Sequence, residues 1–279
     1  MEDLKLDNTA KRTALWRALH LEIDQPPYLI EDDWALKLAD PESGWQNRPD
    51  MLYTKSLRAS IVARARLIED RVLAAVRTGM GQYLILGAGL DSLALRHPAL
   101  TESLKVFEID QASTLAWKEH QIKKYLVGLP SNLHLLPVNF ERQSWWEVLL
   151  ESAFDGSDPA LISCTGVTLY LTAEAIKNML QHIARMAKGS LALISFYMPV
   201  SELEGEDKKL QEIAIKGAAA AGTPMRSFYT EEQVRALATQ VGFSSIEILN
   251  TRDLIELYFK DRTDDLLPSD GEIFLIVTV

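Results

Sequence analysis

The chain has 279 residues, of which 47% are hydrophobic, and its 29 basic and 39 acidic residues give a formal net charge of −10. This acidic balance argues against a nucleic-acid partner, and the single cysteine, Cys164, excludes an intrachain disulfide. The N terminus lacks the basic and apolar segments of a signal peptide, and no stretch approaches the about 20 apolar residues of a membrane span, so we expect a cytoplasmic protein without a membrane partner.

The length and hydrophobic content favour one elaborated α/β domain over two independent ones. Residues 1–80 are predicted to form an N-terminal helical cap, and residues 81–279 the main domain. From Lys55 to Arg77, apolar residues recur every three or four positions, which predicts a helix packed against a sheet. Arg64 lies within this apolar stripe. Its guanidinium must therefore extend to solvent or meet an anion, because an unpaired buried charge is costly.

A glycine turn follows the first predicted strand. The apolar run Tyr83–Leu86 ends at Gly87-Ala88-Gly89, and a second run, from Leu104, ends on Asp110, 21 residues beyond Gly89. Strand, turn, helix-length gap and acid-tipped strand are typical of a βαβ unit. An acid at this distance accepts hydrogen bonds from the ribose of a nucleoside-bearing cofactor.

The third position of the glycine pattern bears on which cofactor is bound. A dinucleotide fingerprint has a third glycine where this chain has Ser92, so the signal for NAD is weak. The turn suits a cofactor without a pyrophosphate, such as S-adenosylmethionine. A turn that serves only packing remains an alternative.

Three motifs carry a resemblance to a known family. They are LGAGLDSLALR at residues 86–96, FEID at 107–110 and TGVTLYLT at 165–172, preceded by the helix that carries Arg64. Over about residues 61–171 the chain resembles the leucine carboxyl methyltransferase family, which includes bacterial polyketide O-methyltransferases. The resemblance implies a Rossmann-like class I methyltransferase that uses S-adenosylmethionine. It also implies a seven-stranded, mostly parallel sheet with helices on both faces and an antiparallel last strand.

The resemblance also assigns cofactor contacts. It implies that Arg64 binds the cofactor's carboxylate and that Lys11 has a similar, weaker role. Asn139 and Phe140, after the third predicted strand, are implied to hold the adenine, although the family usually has an aspartate at Asn139. An arginine that reaches solvent and an asparagine that closes a turn are the alternatives.

Two further positions follow the fourth predicted strand. Thr165 stands where many relatives carry a glutamate beside the cofactor's amino group, and its hydroxyl can still accept a hydrogen bond. Tyr170 is the candidate for the substrate side, with simple packing as the alternative. An insertion at about 199–229, with a charged helical stretch and a glycine-flanked alanine run, is interpreted as a lid over the cofactor edge. A surface excursion without a role in binding is the alternative.

No sequence pattern supplies a general base or a metal site. The five histidines are scattered, and there is no H-E-x-x-H, no cysteine pair and no nucleophile elbow. The prediction is therefore O-methylation of a small molecule, at a carboxylate rather than a phenol, because a carboxylate is already ionised at neutral pH. The alternatives are an NAD-type Rossmann oxidoreductase and a catalytically silent S-adenosylmethionine-binding protein.

Overall fold

A single seven-stranded sheet runs through the computed structural model, which describes residues 8–140 and 142–279. Residues 1–7 of the predicted cap lie outside the described residues. The strands are β1 (Gln82–Leu86), β2 (Lys105–Asp110), β3 (Leu133–Pro137), β4 (Leu161–Cys164), β5 (Leu191–Tyr197), β6 (Ser245–Leu249) and β7 (Glu272–Thr278). The helices are α1 (Asn8–Ile23), α2 (Asp33–Ala39), α3 (Pro49–Leu52), α4 (Lys55–Arg77), α5 (Leu93–Arg96), α6 (Ala112–Lys123), α7 (Trp145–Leu150), α8 (Ala173–Ile183), α9 (Gly205–Ala220), α10 (Glu231–Val241) and α11 (Thr251–Tyr258).

The strand order is β3-β2-β1-β4-β5-β7-β6. Strands β1 to β5 pair in parallel, and β7 runs antiparallel to both β5 and β6, which confirms the predicted topology. The order reverses between β1 and β4, so a crevice opens at the carboxyl ends of these strands. Because β7 is antiparallel, its first residue, Glu272, pairs with Tyr197 at the end of β5 and lies at the same edge.

Two apolar layers cover the sheet. Tyr83 and Ile85 of β1 join a core with α1, α2 and α4, whereas Leu84 and Leu86 join a core with α7, α8 and α10. This alternation follows from the two-residue period of a strand. Helices therefore pack on both faces of the sheet, as predicted.

Local capping explains several helix ends. The Thr230 side chain accepts from the backbone of Gln233 in a reciprocal capping box, and α10 ends at Gly242, whose φ of +95° suits glycine. The Thr172 hydroxyl caps α8 by accepting from Ala175 N. Threonine before a helix and glycine after it are the residue types favoured at these positions.

The connection between β1 and β2 differs from the expected helix. Only one turn, α5, forms, and a 3₁₀ turn at Pro98–Leu100 follows it. Pro98 lacks the amide hydrogen needed to continue α5. The next helix, α6, begins at Ala112 directly after β2 and ends at Lys123.

Candidate active site

A cavity of about 650 Å³ opens at the carboxyl edge of the sheet, between the strand ends, α1, α4 and the segment 199–229. It gathers every predicted site residue except Lys11. These residues are Arg64, Gly87, Ala88, Gly89, Asp110, Asn139, Phe140, Thr165 and Tyr170. Residues far apart in the sequence thus meet where strand order reverses, which is where open α/β sheets bind ligands.

The glycine turn is shaped by close packing. Gly87 has a φ of +76°, and a Cβ at this position would lie 2.2 Å from the Val167 Cγ2 atom, so a side chain does not fit. The Gly87 and Ala88 amides both donate to the Ile109 carbonyl, at 2.8 and 3.1 Å. Backbone without a side chain therefore lines the cavity here, which fits the close approach of a cofactor.

Asp110 is fixed against this turn. Its Oδ2 accepts from Gly89 N at 2.7 Å, and its Oδ1 accepts from Gln111 N at 2.6 Å. The acid thus ties the end of β2 to the turn after β1. A carboxylate has about four acceptor sites, which allows such a residue to bind ribose hydroxyls as well.

Asn139 and Phe140 follow β3. The Asn139 amide donates to Gln143 Oε1 at 2.9 Å, and its carbonyl accepts from Arg142 N and Gln143 N. The backbone of Asn139 therefore closes a turn, and Asn139, which is exposed, also lines the cavity. Phe140 also lines a second recess of about 240 Å³.

That second recess holds Cys164 and His182. Burial raises the pKa of the Cys164 thiol to about 12, so it stays protonated and unreactive near neutral pH. Burial also lowers the pKa of His182, whose ring stacks on Trp146. Both residues therefore have the character of packing groups.

Arg64 reaches the cavity from α4. Its Nη1 donates to Glu272 Oε1 at 2.8 Å and to the Tyr197 hydroxyl at 3.2 Å. The guanidinium lies against Gly166, where a Cβ would be 3.4 Å from Nη1. Burial alone would lower the Arg64 pKa, but the Glu272 charge and the Tyr197 hydroxyl raise it. Of the two options that the sequence left for this arginine, solvent or an anion, the structure shows an anion, Glu272 of β7.

Lys11 lies outside the cavity. Its Nζ donates to the Asp40 carbonyl at 3.2 Å and lies 5.5 Å from the centroid of the Trp117 ring. The adjacent Arg12 lines the cavity instead. Neighbouring helix residues point about 100° apart, because a turn takes about 3.6 residues. The expected cofactor contact of Lys11 therefore does not follow from its position.

Helices α1 and α2 brace the loop after the glycine turn. Arg17 donates to Asp32 Oδ2 at 2.7 Å and to the Leu90 carbonyl at 2.6 Å, and Ser92 Oγ donates to Asp32 Oδ2 at 2.7 Å. Burial would raise the pKa of Asp32, but the charges of Arg17 and Arg96 lower it. The carboxylate therefore stays ionised and anchors the loop.

The segment 199–229 borders the cavity as the lid interpretation requires. One face of α9 contributes Asp207, Leu210, Gln211 and Ala214 at helical spacing, and residues 222–226 follow. No residue of α9 is buried. Sparse packing of this kind is typical of elements that open at low cost, and movement of the segment stays a prediction.

Sequence reasoning missed Arg12, Tyr197 and Glu272. The antiparallel last strand was a usable signal for Glu272, since the first residue of such a strand lies at the carboxyl edge of its parallel neighbours. Among the described residues, no cluster of three or more histidine, cysteine, aspartate or glutamate side chains is suited to a metal. None of the helices within 8–140 and 142–279 is long and apolar enough to cross a membrane.

The family model described as leucine carboxyl methyltransferase matches residues 10–184. The chain belongs to this family. It is 30% identical over 207 residues to YktD of Bacillus subtilis (strain 168), a protein named as an S-adenosyl-L-methionine-dependent methyltransferase, and the match covers 74% of this chain and 67% of YktD. A similarly named protein of Parafrankia sp. (strain EAN1pec) is 30% identical over 190 residues, which cover 64% of this chain and 59% of that relative.

The fold is shared with a solved structure. The crystal structure of a methyltransferase from Thermobifida fusca YX matches with a TM-score of 0.63 and 16% identity, over 99% of this chain and 96% of that one. The predicted class I fold, family and S-adenosylmethionine dependence are thereby confirmed. This chain is therefore a methyltransferase. The alternatives of an NAD-type oxidoreductase and of a catalytically silent S-adenosylmethionine-binding protein are set aside.

Proposed function

We propose that this methyltransferase transfers the methyl group to a carboxylate oxygen of a small molecule, forming a methyl ester. The observation that carries the proposal is the composition of the cavity wall, which among the described residues includes no histidine and no lysine. Glu272 is engaged by Arg64, and Asp110 by the glycine turn. A carboxylate acceptor needs no base, because its pKa near ~4 leaves it ionised at neutral pH.

The residues of the cavity also fit the proposed cofactor contacts. Asp110 would hold the ribose, Asn139 and Phe140 the adenine, Thr165 the amino group and Arg64 the carboxylate. The glycine turn supports this assignment, since Gly87 has no room for a side chain and presents bare backbone.

Bound S-adenosylmethionine would supply a methyl group on a positively charged sulfur, and that sulfur would keep the electron pair of the carbon–sulfur bond when an acceptor oxygen takes the methyl group. No proton moves when the acceptor is a carboxylate. The protein's task is then to align the two reactants and exclude water, and alignment alone contributes several kcal/mol. The segment 199–229, including the exposed Arg226 in the cavity wall, is suited to enclosing an anionic acceptor.

The test is a screen of aromatic and aliphatic acids and phenols for S-adenosylhomocysteine release, with the primary amide of each acid as matched control. On a carboxylate hit, we expect the rate to stay flat from about pH 6 to 8, because the acceptor is ionised throughout. A phenol gives a rate that rises with pH as the phenolate forms. Turnover of phenols alone would refute the carboxylate proposal, and methylation only at nitrogen would refute O-methylation.

A further inference from the structure

Arg226 lies in the cavity wall with a fixed backbone and an uncommitted side chain. Its amide donates to the Leu169 carbonyl at 2.6 Å, and the hydroxyl of the next residue, Ser227, donates to the Leu171 carbonyl at 2.6 Å. These bonds tie the end of segment 199–229 to the loop that carries Tyr170, the substrate-side candidate. The Arg226 guanidinium is exposed and has no ion-pair partner among the described residues. It can therefore receive an anion at the end of the cavity that holds Tyr170.

Other arginines of the wall are already engaged by the chain itself. Three of them form ion pairs with acids, namely Arg17 with Asp32, Arg64 with Glu272 and Arg96 with Glu69. The Arg12 guanidinium lies over the Trp16 ring, 5.6 Å from its centroid. An acid that enters the cavity beside Tyr170 therefore meets a positive charge at Arg226 that no carboxylate of the described residues neutralises.

The same segment lines the cavity with apolar side chains that belong to no core. They are all half-buried, and they are Leu210 and Ala214 of α9, Met225 and Phe228. None of the four is part of either apolar layer of the described chain or packs against one. Apolar surface that a protein keeps in a cavity, apart from its core, is typical of a wall that an apolar ligand covers.

Two acids of the wall limit the charge of such a ligand. Asp207 of α9 and Asp270, which precedes β7, line the cavity, and neither forms an ion pair within the described residues. Asp270 lies next to β7, whereas Arg226 is bonded to the loop after β4, and β5 separates these two strands in the sheet. A second carboxylate that extended from Arg226 towards β7 would meet like charges, which repel it.

We propose that the methyl acceptor is an apolar monocarboxylic acid, whose carboxylate binds the Arg226 guanidinium and whose body lies against Leu210, Met225 and Phe228. This inference rests on the proposed function, because it names the class of acid for a carboxylate acceptor. A guanidinium bonded to one carboxylate oxygen leaves the other oxygen to take the methyl group. The methyl ester carries no charge, so Arg226 holds the substrate more strongly than the product.

The first test measures acceptor binding without turnover, by calorimetric titration of the protein saturated with S-adenosylhomocysteine. The probes are octanoate, octanamide and octanedioate, which have the same chain length, and 3-phenylpropionate as an aromatic acid. We expect octanoate to bind at least about fivefold more tightly than octanamide, which lacks the charge, and more tightly than octanedioate, which meets Asp207 and Asp270. From butyrate to octanoate, the affinity should rise about threefold per methylene.

Arg226→Gln tests the anion contact. It should weaken octanoate binding by about five- to tenfold and leave octanamide binding within about twofold. In turnover, KM for the acid should rise by a similar factor while kcat changes by less than about twofold, because the contact is made before the charge is lost. Arg235→Gln is the matched control, since Arg235 is an exposed arginine of α10 outside the cavity wall, and it should change none of these values.

Leu210→Ala tests the apolar contact. It should weaken octanoate binding by about three- to tenfold and butyrate binding by less than about twofold, because the shorter acid makes less apolar contact. Ile213→Ala is the matched control on the same helix. Ile213 is 65% exposed and absent from the cavity wall, so its truncation should leave both affinities unchanged.

A further pair of probes checks that Arg226 acts on the acceptor. S-adenosylhomocysteine and 5′-methylthioadenosine share adenine and ribose, but only the first has the cofactor's amino-acid carboxylate. Both should bind Arg226→Gln as they bind the wild type. Weaker binding of S-adenosylhomocysteine to this variant would assign Arg226 to the cofactor and overturn its role towards the acceptor.

The remaining outcomes separate this proposal from the one on which it rests. Unchanged octanoate affinity in Arg226→Gln would overturn the role of Arg226. Tighter binding of octanedioate than of octanoate, or no binding of either octanoate or 3-phenylpropionate, would overturn the apolar class while a carboxylate acceptor could stand. Methyl transfer to phenols alone would overturn the proposed function itself.

Discussion

Two strand acids are each paired with a cation from a helix, but they lie in different surroundings. Glu108 of β2 pairs with Lys118 of α6, and the exposed fractions of the two side chains are 1% and 0%. Glu272 of β7 pairs with Arg64 of α4, with exposed fractions of 8% and 11%, and both line the cavity. The chemistry of the pairs is similar, and access to a ligand distinguishes them.

The enclosed pair shows what burial does to an acid without solvent. Burial raises the pKa of Glu108 to about 7, although the Lys118 charge acts in the opposite direction. Asp110 lies two residues further along β2, on the same face, and reaches the cavity edge. A displacement of two residues, about 7 Å along a strand, therefore separates an acid of the core from an acid of the site.

The difference teaches that a buried ion pair alone does not indicate function. Glu108 and Lys118 have no route to a ligand, so their pairing serves the fold. Arg64 and Glu272 line the cavity, so a ligand in the cavity could reach this pair. Three substitutions test this contrast, in order of decreasing effect.

The largest effect is expected for Lys118→Met, which leaves Glu108 buried without its cation. Removing one partner of a buried pair costs about 3–5 kcal/mol of unfolding free energy, and urea denaturation at pH 8 measures it. The pKa of Glu108 in the folded protein lies above its unfolded value, so the folded state binds more protons and its stability falls as pH rises from about 4.5 through 7. The loss should therefore be smaller at pH 5.

The double variant Glu108→Gln with Lys118→Met is the control, since it removes both charges. It should recover part of the lost stability at pH 8. A loss below about 1 kcal/mol for the single variant would contradict the structural role of the pair.

A smaller effect, on affinity, is expected for Arg64→Ala. Loss of hydrogen bonds to a charged group should weaken S-adenosylhomocysteine binding by about 10- to 100-fold, while 5′-methylthioadenosine binding changes little. Arg64→Lys should not restore the affinity, because an ammonium is a point donor. Calorimetric titration measures the affinity for both probes. The free energy of unfolding should fall less in Arg64→Ala than in Lys118→Met, since the cavity admits water to Glu272.

Arg66→Ala is the matched control on the same helix, where Arg66 pairs with Asp70 near the surface. It should leave both affinities unchanged. Unchanged S-adenosylhomocysteine affinity in Arg64→Ala would make the Arg64–Glu272 pair as structural as the enclosed one, and the contrast would fail.

Much of the fold could be predicted because most of its strands are short apolar runs bounded by residues that break secondary structure. The apolar run at residues 191–197 forms β5, and α4 spans Lys55–Arg77 as its apolar spacing predicted. The helix after the glycine turn could not be sized from the gap between strands, because Pro98 and the packing of the loop limit it. Helices α7 and α11 were missed, since short helices depend on tertiary contacts more than on local pattern.

That these candidate residues come together in one cavity was predictable where they follow strands directly. Gly87, Asp110, Asn139 and Thr165 lie at strand ends, and parallel strands bring their carboxyl ends to one edge. The α1 contribution was not predictable in the same way. Its sequence does not specify how the helix is rotated over the sheet, so Lys11 and Arg12 could not be told apart without the packed structure.

The smallest effect is expected for Glu272→Gln, and its sign distinguishes two roles for this acid. Glutamine keeps an acceptor oxygen for Arg64 but removes the negative charge that a ligand carboxylate would meet. If Glu272 mainly neutralises Arg64, S-adenosylhomocysteine should bind Glu272→Gln about two- to fivefold more tightly than the wild type. A gain of this size matches a charge interaction of less than ~1 kcal/mol near solvent. The affinity for 5′-methylthioadenosine should not change. The gain should shrink as salt is raised, because salt screens charges that water can reach.

The control is Glu247→Gln. Glu247 lies on β6, pairs with Arg71 of α4 and is absent from the cavity wall, so this change should leave the binding of both probes unaffected. Weaker binding in Glu272→Gln would show instead that Glu272 orients Arg64. The negative charge of Glu272 repels the ligand's carboxylate, so that charge can favour binding only if it holds Arg64 in position.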